Sequence, residues 1–326
     1  MLARFVAFLA KYQLALIVGM LVLGLIFPAF FKPLNPLNSF FLQVIMFATG
    51  LRLDFREVFR EIKDWRLLLI GNGMMMIGIP ILVSIPLKIF APEWTLPFVI
   101  AAAMPTGLTA PAIINVLGGK TSLALLMSLS TSIVAPITIP LTLKIIVGSD
   151  VNVDVISMMW QITSVVVLPL FISGFIQHKM GIKRIERFRT SITLGNLLAF
   201  GLVVASIASA SFKEGSANIL ATIGTDGIIV AVLMMIFWLG IAWLTMTVVR
   251  WRSQKDRNTM TFCLIYMSYA LGIWVGDTFF RETGVAPKLV AIVILVISLF
   301  PVFKLAFPDQ VKKKGPTCLV DEIEKI

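Results

Sequence analysis

Few residues in this chain could carry chemistry, and most of those are hydroxyls. There is one histidine, His178, and there are two cysteines, Cys263 and Cys318. Of the 17 acidic residues, Asp277 falls inside a long apolar stretch and Asp226 at the very start of another. Hydrolysis within a membrane needs a paired acid, a serine with a base, or a metal site. The sequence offers none of these sets, so we do not expect an enzyme or a bound cofactor.

Asp277 has two interpretations. A carboxylate inside a membrane segment typically marks function, and a proton carrier is the natural role. However, Asp277 lies near the end of its stretch, with Arg281 one helical turn later. A simple ion pair at a helix end is therefore the alternative. The first interpretation makes Asp277 a candidate coupling residue.

Two apolar stretches are interrupted by residues that break helices. In the run AAAMPTGLTAPA at 101–112, Pro105 and Pro111 remove backbone donors and Gly107 weakens the helix. A helix that restarts at this point would hold Pro111 in its first turn, where proline is tolerated. A softer interruption is predicted later in the chain, at Ser268, Tyr269, Gly272 and Gly276.

Restarted half-helices expose backbone N–H groups, which favour an anion. The candidate substrate-binding residues are Thr106, Gly107, Thr109, Pro111, Asn115, Tyr269 and Gly272. The candidate ion-coupling residues are Ser128, Ser268 and Asp277. Ordinary proline and glycine kinks are the alternative, because membrane helices tolerate them. Hydroxyls such as those of Ser128, Thr131 and Ser132 also often bond only the preceding turn.

Composition places these residues in a membrane. Apolar residues make up 58% of the chain and charged residues 14%, where a soluble domain has about 25% charged. Segments of about 20 apolar residues can span a bilayer. We predict an all-α membrane protein with ten transmembrane helices, at 12–31, 38–53, 66–90, 94–118, 121–148, 155–177, 191–211, 225–249, 258–280 and 285–308.

The placement of charge predicts the orientation. With the N-terminus inside, 22 of the 28 lysines and arginines fall in cytoplasmic segments. Both termini are then cytoplasmic, in a bacterial-type inner membrane. The net charge of +11 follows this topology pattern, and no basic patch is interleaved with aromatic residues, so a nucleic-acid partner is not expected.

Ten spans divide into two halves of five, and an odd number makes the halves opposite in orientation. We predict inverted five-helix repeats at 1–150 and 151–308, followed by a cytoplasmic tail at 309–326. The two interrupted helices are then the fourth span of each half. Such matched interruptions indicate a binding site near the bilayer centre.

The chain resembles the bile acid:sodium symporter family. The resemblance rests on MFATGLRL from Met46, MPTGLTAPA from Met104, and GGKTSLALLMSLSTSIVAP from Gly118 to Pro136. It implies two crossing broken helices, a core domain with a smaller panel domain, and transport of organic anions, usually with sodium.

The resemblance fails at the sodium ligands. The family supplies a glutamine from the third span, Ser-Asn from the fourth, two hydroxyls from the fifth, and a glutamate and a glutamine from the ninth. The corresponding positions here are Met75, Ala110, Pro111, Ala124, Ser128, Leu264 and Ser268. A hard cation needs several oxygens. Sodium or a proton, or no ion at all, therefore remains open for coupling.

These features predict a secondary transporter of a small organic anion that works by alternating access in the lipid bilayer. The alternative is a transporter-like sensor or receptor, which binds its ligand without moving it. The sequence does not identify the anion or predict an oligomeric state.

Overall fold

The computed structural model describes residues 13–51, 53, 65–116, 118–148, 154–211 and 236–298. This part of the chain is helical apart from turns and one isolated bridge, which confirms the all-α class. Its α-helices are α1 (Gln13–Ile26), α2 (Pro28–Phe31), α3 (Asn38–Gly50), α4 (Trp65–Phe90), α5 (Pro92–Ala102), α6 (Ala110–Val116), α7 (Thr121–Val147), α8 (Val155–Met180), α9 (Ile182–Glu186), α10 (Arg189–Ser211), α11 (Ile236–Val248), α12 (Gln254–Ile265), α13 (Tyr269–Phe279) and α14 (Val285–Ser298). The predicted 309–326 tail and the first part of the span at 225–249 lie outside the described residues.

Several helices have the length and composition of membrane spans. Within the described residues, α4, α7, α8 and most of α10 qualify, and the bent pair Gly19–Ile26 and Pro28–Gly50 adds a fifth at most. Large apolar side chains point outward, as Ile156 and Trp160 do at 80% and 75% exposure. Such outward faces suit lipid rather than water. The protein is therefore a multi-pass membrane protein, while the count of ten spans stays a prediction.

The first predicted span, at 12–31, is shorter in the structure because α1 ends at Ile26. Pro28 stands in the first turn of α2, where its missing N–H costs nothing, and the chain bends there by 98°. A 3₁₀ turn, Lys32–Leu37, then leads into α3. The predicted second span, at 38–53, corresponds to α3.

Two long helices contain a π-helical turn, and a proline follows each of them. The turn Met74–Gly78 in α4 precedes Pro80, and the turn Thr163–Val167 in α8 precedes Pro169. Proline cannot donate to the preceding turn, so a carbonyl is left free. A neighbouring helix supplies the donor each time. The Thr142 hydroxyl donates to the Met76 carbonyl at 3.0 Å, and the Gln43 amide donates to the Ser164 carbonyl at 3.2 Å.

The helices pack in two groups. In group A, which comprises α1, α3, α8 and α10, helix α10 packs on α1 and α3, and α8 packs on α3. Group B comprises α4 to α7 and α12 to α14; there α7 packs on α6 and α12, while α14 packs on α5 and α13. The two groups meet where α13 contacts α3 and α10, where α14 contacts α10, and where α7 contacts α8.

Candidate functional site

Two broken helices meet at their breaks in group B. One break separates α5 from α6 and the other separates α12 from α13. The Gly107 N–H donates to the Tyr266 carbonyl at 2.9 Å, and the Ser268 N–H donates to the Pro105 carbonyl at 2.8 Å. These bonds flank an antiparallel bridge between Thr106 and Met267. Backbone groups released by the breaks thus pair with each other, which removes the cost of leaving them unbonded in an apolar interior. We call this region the crossing (residues 103–109 and 266–268).

The restart of the first broken helix follows the sequence prediction. Helix α6 begins at Ala110, and Pro111 occupies its first turn. The Ala110 N–H donates to the Gly107 carbonyl at 2.9 Å, so the loop closes tightly just before the helix. Asn115 lies within α6, five residues beyond its start.

The second break lies earlier than predicted. The unwound residues are Tyr266 to Ser268, whereas Tyr269 and Gly272 are buried in α13. A Cβ at Gly272 would lie 3.1 Å from Cγ of Met104, and one at Gly276 would lie 2.3 Å from Cδ1 of Leu289. The prediction agrees with the structure at Ser268 and was wrong at Gly272 and Gly276, because both glycines permit close packing within a continuous helix.

Thr106 joins three segments at the crossing. Its hydroxyl donates to the Cys263 carbonyl at 3.0 Å and lies 3.0 Å from Sδ of Met75. Its N–H donates to Oγ1 of Thr131 at 3.2 Å. The side chain has 0% exposure, so its polar atoms hold α4, α7 and α12 together.

Thr109 lies on the more open side of the crossing, where it pairs with a residue that the sequence analysis missed. Its hydroxyl is 2.8 Å from that of Tyr266, and both side chains are half-buried. The Tyr266 ring stacks on Phe262, with centroids 5.2 Å apart. A Cβ at Gly107 would lie only 2.6 Å from Cε1 of Tyr266, so glycine is required beneath the ring. Two of the three tyrosines in the sequence flank this break, and that clustering was the available signal.

The hydroxyls of α7 bond backbone carbonyls. Ser128 donates to the Gly107 carbonyl at 3.3 Å and so ties α7 to the crossing. Thr131 and Ser132 donate to carbonyls of the preceding turn in α7, each at 2.7 Å. All three are buried. Ser128 and Thr131 therefore face the broken helices, whereas Ser132 serves its own helix.

Asp277 lies away from the crossing. It is eight residues beyond Tyr269 in α13, roughly 12 Å along the helix axis. Its carboxylate is 2.8 Å from the Arg281 guanidinium, in the ion pair that the spacing suggested as the alternative. Asn35 also donates to it at 3.1 Å. The structure therefore does not bring Asp277 together with Ser128 and Ser268.

The residues at the crossing do not fit a sodium site of the family type. Four of the corresponding positions carry side chains without oxygen and are fully buried: Met75, Ala110, Ala124 and Leu264. Among the corresponding positions, only Ser128 and Ser268 carry a side-chain oxygen. Sodium requires several hard oxygens, and thioether and methyl groups do not supply them.

Comparison with known proteins identifies a transporter family and one relative. The SBF-like CPA transporter family matches residues 12–307, nearly the whole chain, which confirms the resemblance inferred from the motifs. An uncharacterized sodium-dependent transporter, YocS of Bacillus subtilis (strain 168), is 24% identical over 193 residues, which cover 58% of this chain and 59% of that relative. The chain therefore belongs to the SBF-like CPA transporter family.

Proposed function

We propose that this protein is a secondary transporter that carries a small organic anion across the inner membrane by alternating access. The observation that carries the proposal is the meeting of two broken helices at their breaks. Unwound backbone at membrane depth is tolerated inside protein or beside a cavity, and transporters bind substrates there. Membership of a transporter family supports the same function.

The chemistry at the crossing favours an anion. Helix α13 begins at Tyr269, so the positive end of its dipole faces the break. The half-buried Thr109 hydroxyl, which shares a hydrogen bond with that of Tyr266, adds a donor on the open side. The acidic residues of this broken helix, Asp256 and Asp277, lie toward its opposite ends. A carboxylate or sulfonate substrate at the crossing would meet donors rather than negative side chains.

The inverted repeat remains part of the proposal, and reciprocal contacts support it. The segment that follows each broken helix touches the start of the other one. The Lys120 N–H donates to Oγ1 of Thr259 at 2.9 Å, and Nζ of Lys288 donates to the Glu93 carbonyl at 3.0 Å. The antiparallel bridge at the crossing likewise pairs one residue from each break, Thr106 with Met267. A two-fold relation between the halves would produce both features.

Alternating access requires two bodies that move against each other. We assign group B, which contains the crossing, to the predicted core domain and group A to the predicted panel domain. Rocking of one group against the other would expose the crossing to each side in turn.

We further propose that sodium is not required for transport. The relative's name, sodium-dependent, argues for a sodium site, but the side chains at this crossing argue against carrying that property over. Backbone carbonyls at the breaks bring no formal charge, and those of Pro105, Gly107 and Tyr266 already accept hydrogen bonds. An uncompensated cation at the bilayer centre costs about 3 kcal/mol or more. A proton or the substrate gradient alone is then the driving force.

The test is uptake of an organic-anion panel into proteoliposomes by the purified protein and by its Gly107→Ala variant. The added methyl group would displace the Tyr266 ring, 2.6 Å away, so we expect uptake to fall at least about tenfold. Gly195→Ala is the matched control, because a Cβ there meets nothing within 4 Å in a helix of group A. Both variants should insert equally.

Three outcomes separate the possibilities. Uptake by the Gly195→Ala variant with loss in Gly107→Ala supports the proposal. Equal uptake by both variants would place the substrate path elsewhere. Saturable binding by the unmodified protein without uptake would favour the sensor or receptor alternative.

A further inference from the structure

The end of α13 carries a buried charge that the proposed transport site does not use. Asp277 is 3% exposed, and its carboxylate pairs with Nη2 of Arg281 at 2.8 Å. Nδ2 of Asn35 donates to the same carboxylate oxygen at 3.1 Å. Arg281 completes the triangle by donating to Oδ1 of Asn35 at 2.6 Å. The three side chains form one closed polar network.

This network crosses from one helix group to the other. Asn35 lies in the 3₁₀ turn that leads into α3 of group A, whereas Asp277 and Arg281 lie at the end of α13 in group B. One turn earlier along α13, the Trp274 indole donates to the Ser39 hydroxyl at 3.1 Å, again from group B to group A. Polar contacts between the groups therefore concentrate at this end of α13.

Near the opposite end of the molecule, the described residues include polar contacts that lie within one group. In group A, the Asn196 amide donates to Thr49 at 2.9 Å, and the Gln177 amide donates to the Leu51 carbonyl at 3.2 Å. In group B, Asp256 lies 3.3 Å from Arg252, its neighbour one turn earlier in the chain. The predicted topology makes this end cytoplasmic and the Asn35 end external.

We infer that Asn35, Asp277 and Arg281 form an outer latch, which holds the two helix groups together on the external side and opens during each transport cycle. This inference rests on the proposed function, since alternating access is what requires the latch to open. The conformation described is then the one whose outer side is closed. Asp277 serves as a positioning residue in this role, in place of the proton carrier considered from the sequence.

The geometry allows the latch to open without exposing an unpaired charge. Asp277 and Arg281 are four residues apart in group B, so their ion pair travels intact with that group. Removing one partner of a buried ion pair is costly, and this arrangement avoids it. The bonds that must break are the two of Asn35 and the one between Trp274 and Ser39, and none of them is the ion pair. The Arg281 side chain, 61% exposed, is already reached by water. The latch therefore opens when Asn35 separates from Asp277 and Arg281.

A cysteine reporter can test the latch without any substrate. Leu42 lies in α3 one turn beyond Ser39 and is 0% exposed, so Leu42→Cys reports whether the outer interface opens. The background carries Cys263→Ser and Cys318→Ser, and the probe is a membrane-impermeant maleimide added outside intact cells. In the Asn35→Ala variant we expect the labelling rate at position 42 to rise about tenfold, the shift that loss of hydrogen bonds to charged groups gives.

Asn196→Ala is the matched control, because it removes an asparagine hydrogen bond that stays within group A. Its labelling rate should equal that of the parent protein. Arg281→Gln is the second variant, and it should also accelerate labelling from outside. Equal rates in all variants, or acceleration only in inside-out vesicles, would overturn the latch. Since labelling needs no transported substrate, the latch and the proposed function can fail separately.

Discussion

At the scale of single residues, the crossing depends on side chains that connect backbone segments. The Thr106 hydroxyl donates to the Cys263 carbonyl in α12, and the Thr106 N–H donates to the Thr131 hydroxyl in α7. The sequence had suggested Thr106 as a substrate ligand. Its buried hydroxyl is therefore part of the framework, and Thr109 with Tyr266 is better placed to meet a ligand. A hydroxyl buried in apolar surroundings holds its partners strongly because an unmade bond costs about 1–3 kcal/mol.

Thr106→Val should consequently destabilise the protein by about 1–3 kcal/mol, because the Cys263 carbonyl loses its donor. The midpoint of thermal unfolding in detergent should fall by several degrees. Thr138→Val is the control, since the Thr138 hydroxyl bonds only the Val134 carbonyl of its own helix. If the two variants unfold at the same temperature, Thr106 does not hold the crossing together.

Some residue-level features were predictable and others were not. Pro111 in the first turn of α6 followed from the fixed φ and missing N–H of proline, which act locally. The stacking of Tyr266 over Gly107 joins residues 159 positions apart, and no local pattern contains that pairing. The ion pair of Asp277 with Arg281 followed from helical spacing, but its third member, Asn35, required the tertiary structure.

At the scale of elements, interruptions in helices proved to be of two kinds. Proline interruptions release carbonyls, which another element must satisfy, as at Met76 and Ser164. Glycine interruptions in α13 only let neighbouring side chains approach, and for that reason the predicted second break was displaced. The sequence alone therefore located the proline break well and the glycine break poorly.

Pro80 and Thr142 both affect the Met76 carbonyl, because Pro80 has no N–H to donate to it and the Thr142 hydroxyl donates instead. This relation predicts that one substitution reduces the cost of the other. Thr142→Val should destabilise the protein by about 1–3 kcal/mol, because the Met76 carbonyl loses its donor. In a Pro80→Ala background the backbone regains an N–H in α4, so the same change should cost less. A double-mutant cycle of thermal unfolding measures the difference. If the free-energy costs of the two substitutions add, the two residues do not both act on the Met76 carbonyl.

At the scale of the whole molecule, composition and charge predicted the membrane class, and the family match agrees. Apolar content is a property of the entire chain, so the membrane class could be predicted without knowledge of tertiary contacts. The division into groups A and B depends on which helices pack together, and composition carries no such information. The orientation remains a prediction from the 22-of-28 distribution of lysine and arginine.

Orientation can be measured with exposed side chains outside the latch. Lys144→Cys should react with an impermeant maleimide outside intact cells, whereas Arg187→Cys should react only after the membrane is opened, because the charge distribution makes their segments external and cytoplasmic. Both side chains are exposed, so burial does not confuse the comparison. External labelling of position 187 would reverse the topology.

Organic-anion transport through this crossing should not need sodium, and replacing the ion is the most direct test. Once a transported anion is found in the panel, its initial uptake into proteoliposomes is measured in sodium and in potassium buffers of equal strength. The side chains at Met75, Ala110, Ala124 and Leu264 provide no oxygen ligands, so we predict rates that agree within about twofold. A steep, saturable rise of uptake with sodium concentration would contradict the account and show that backbone carbonyls suffice to bind the ion.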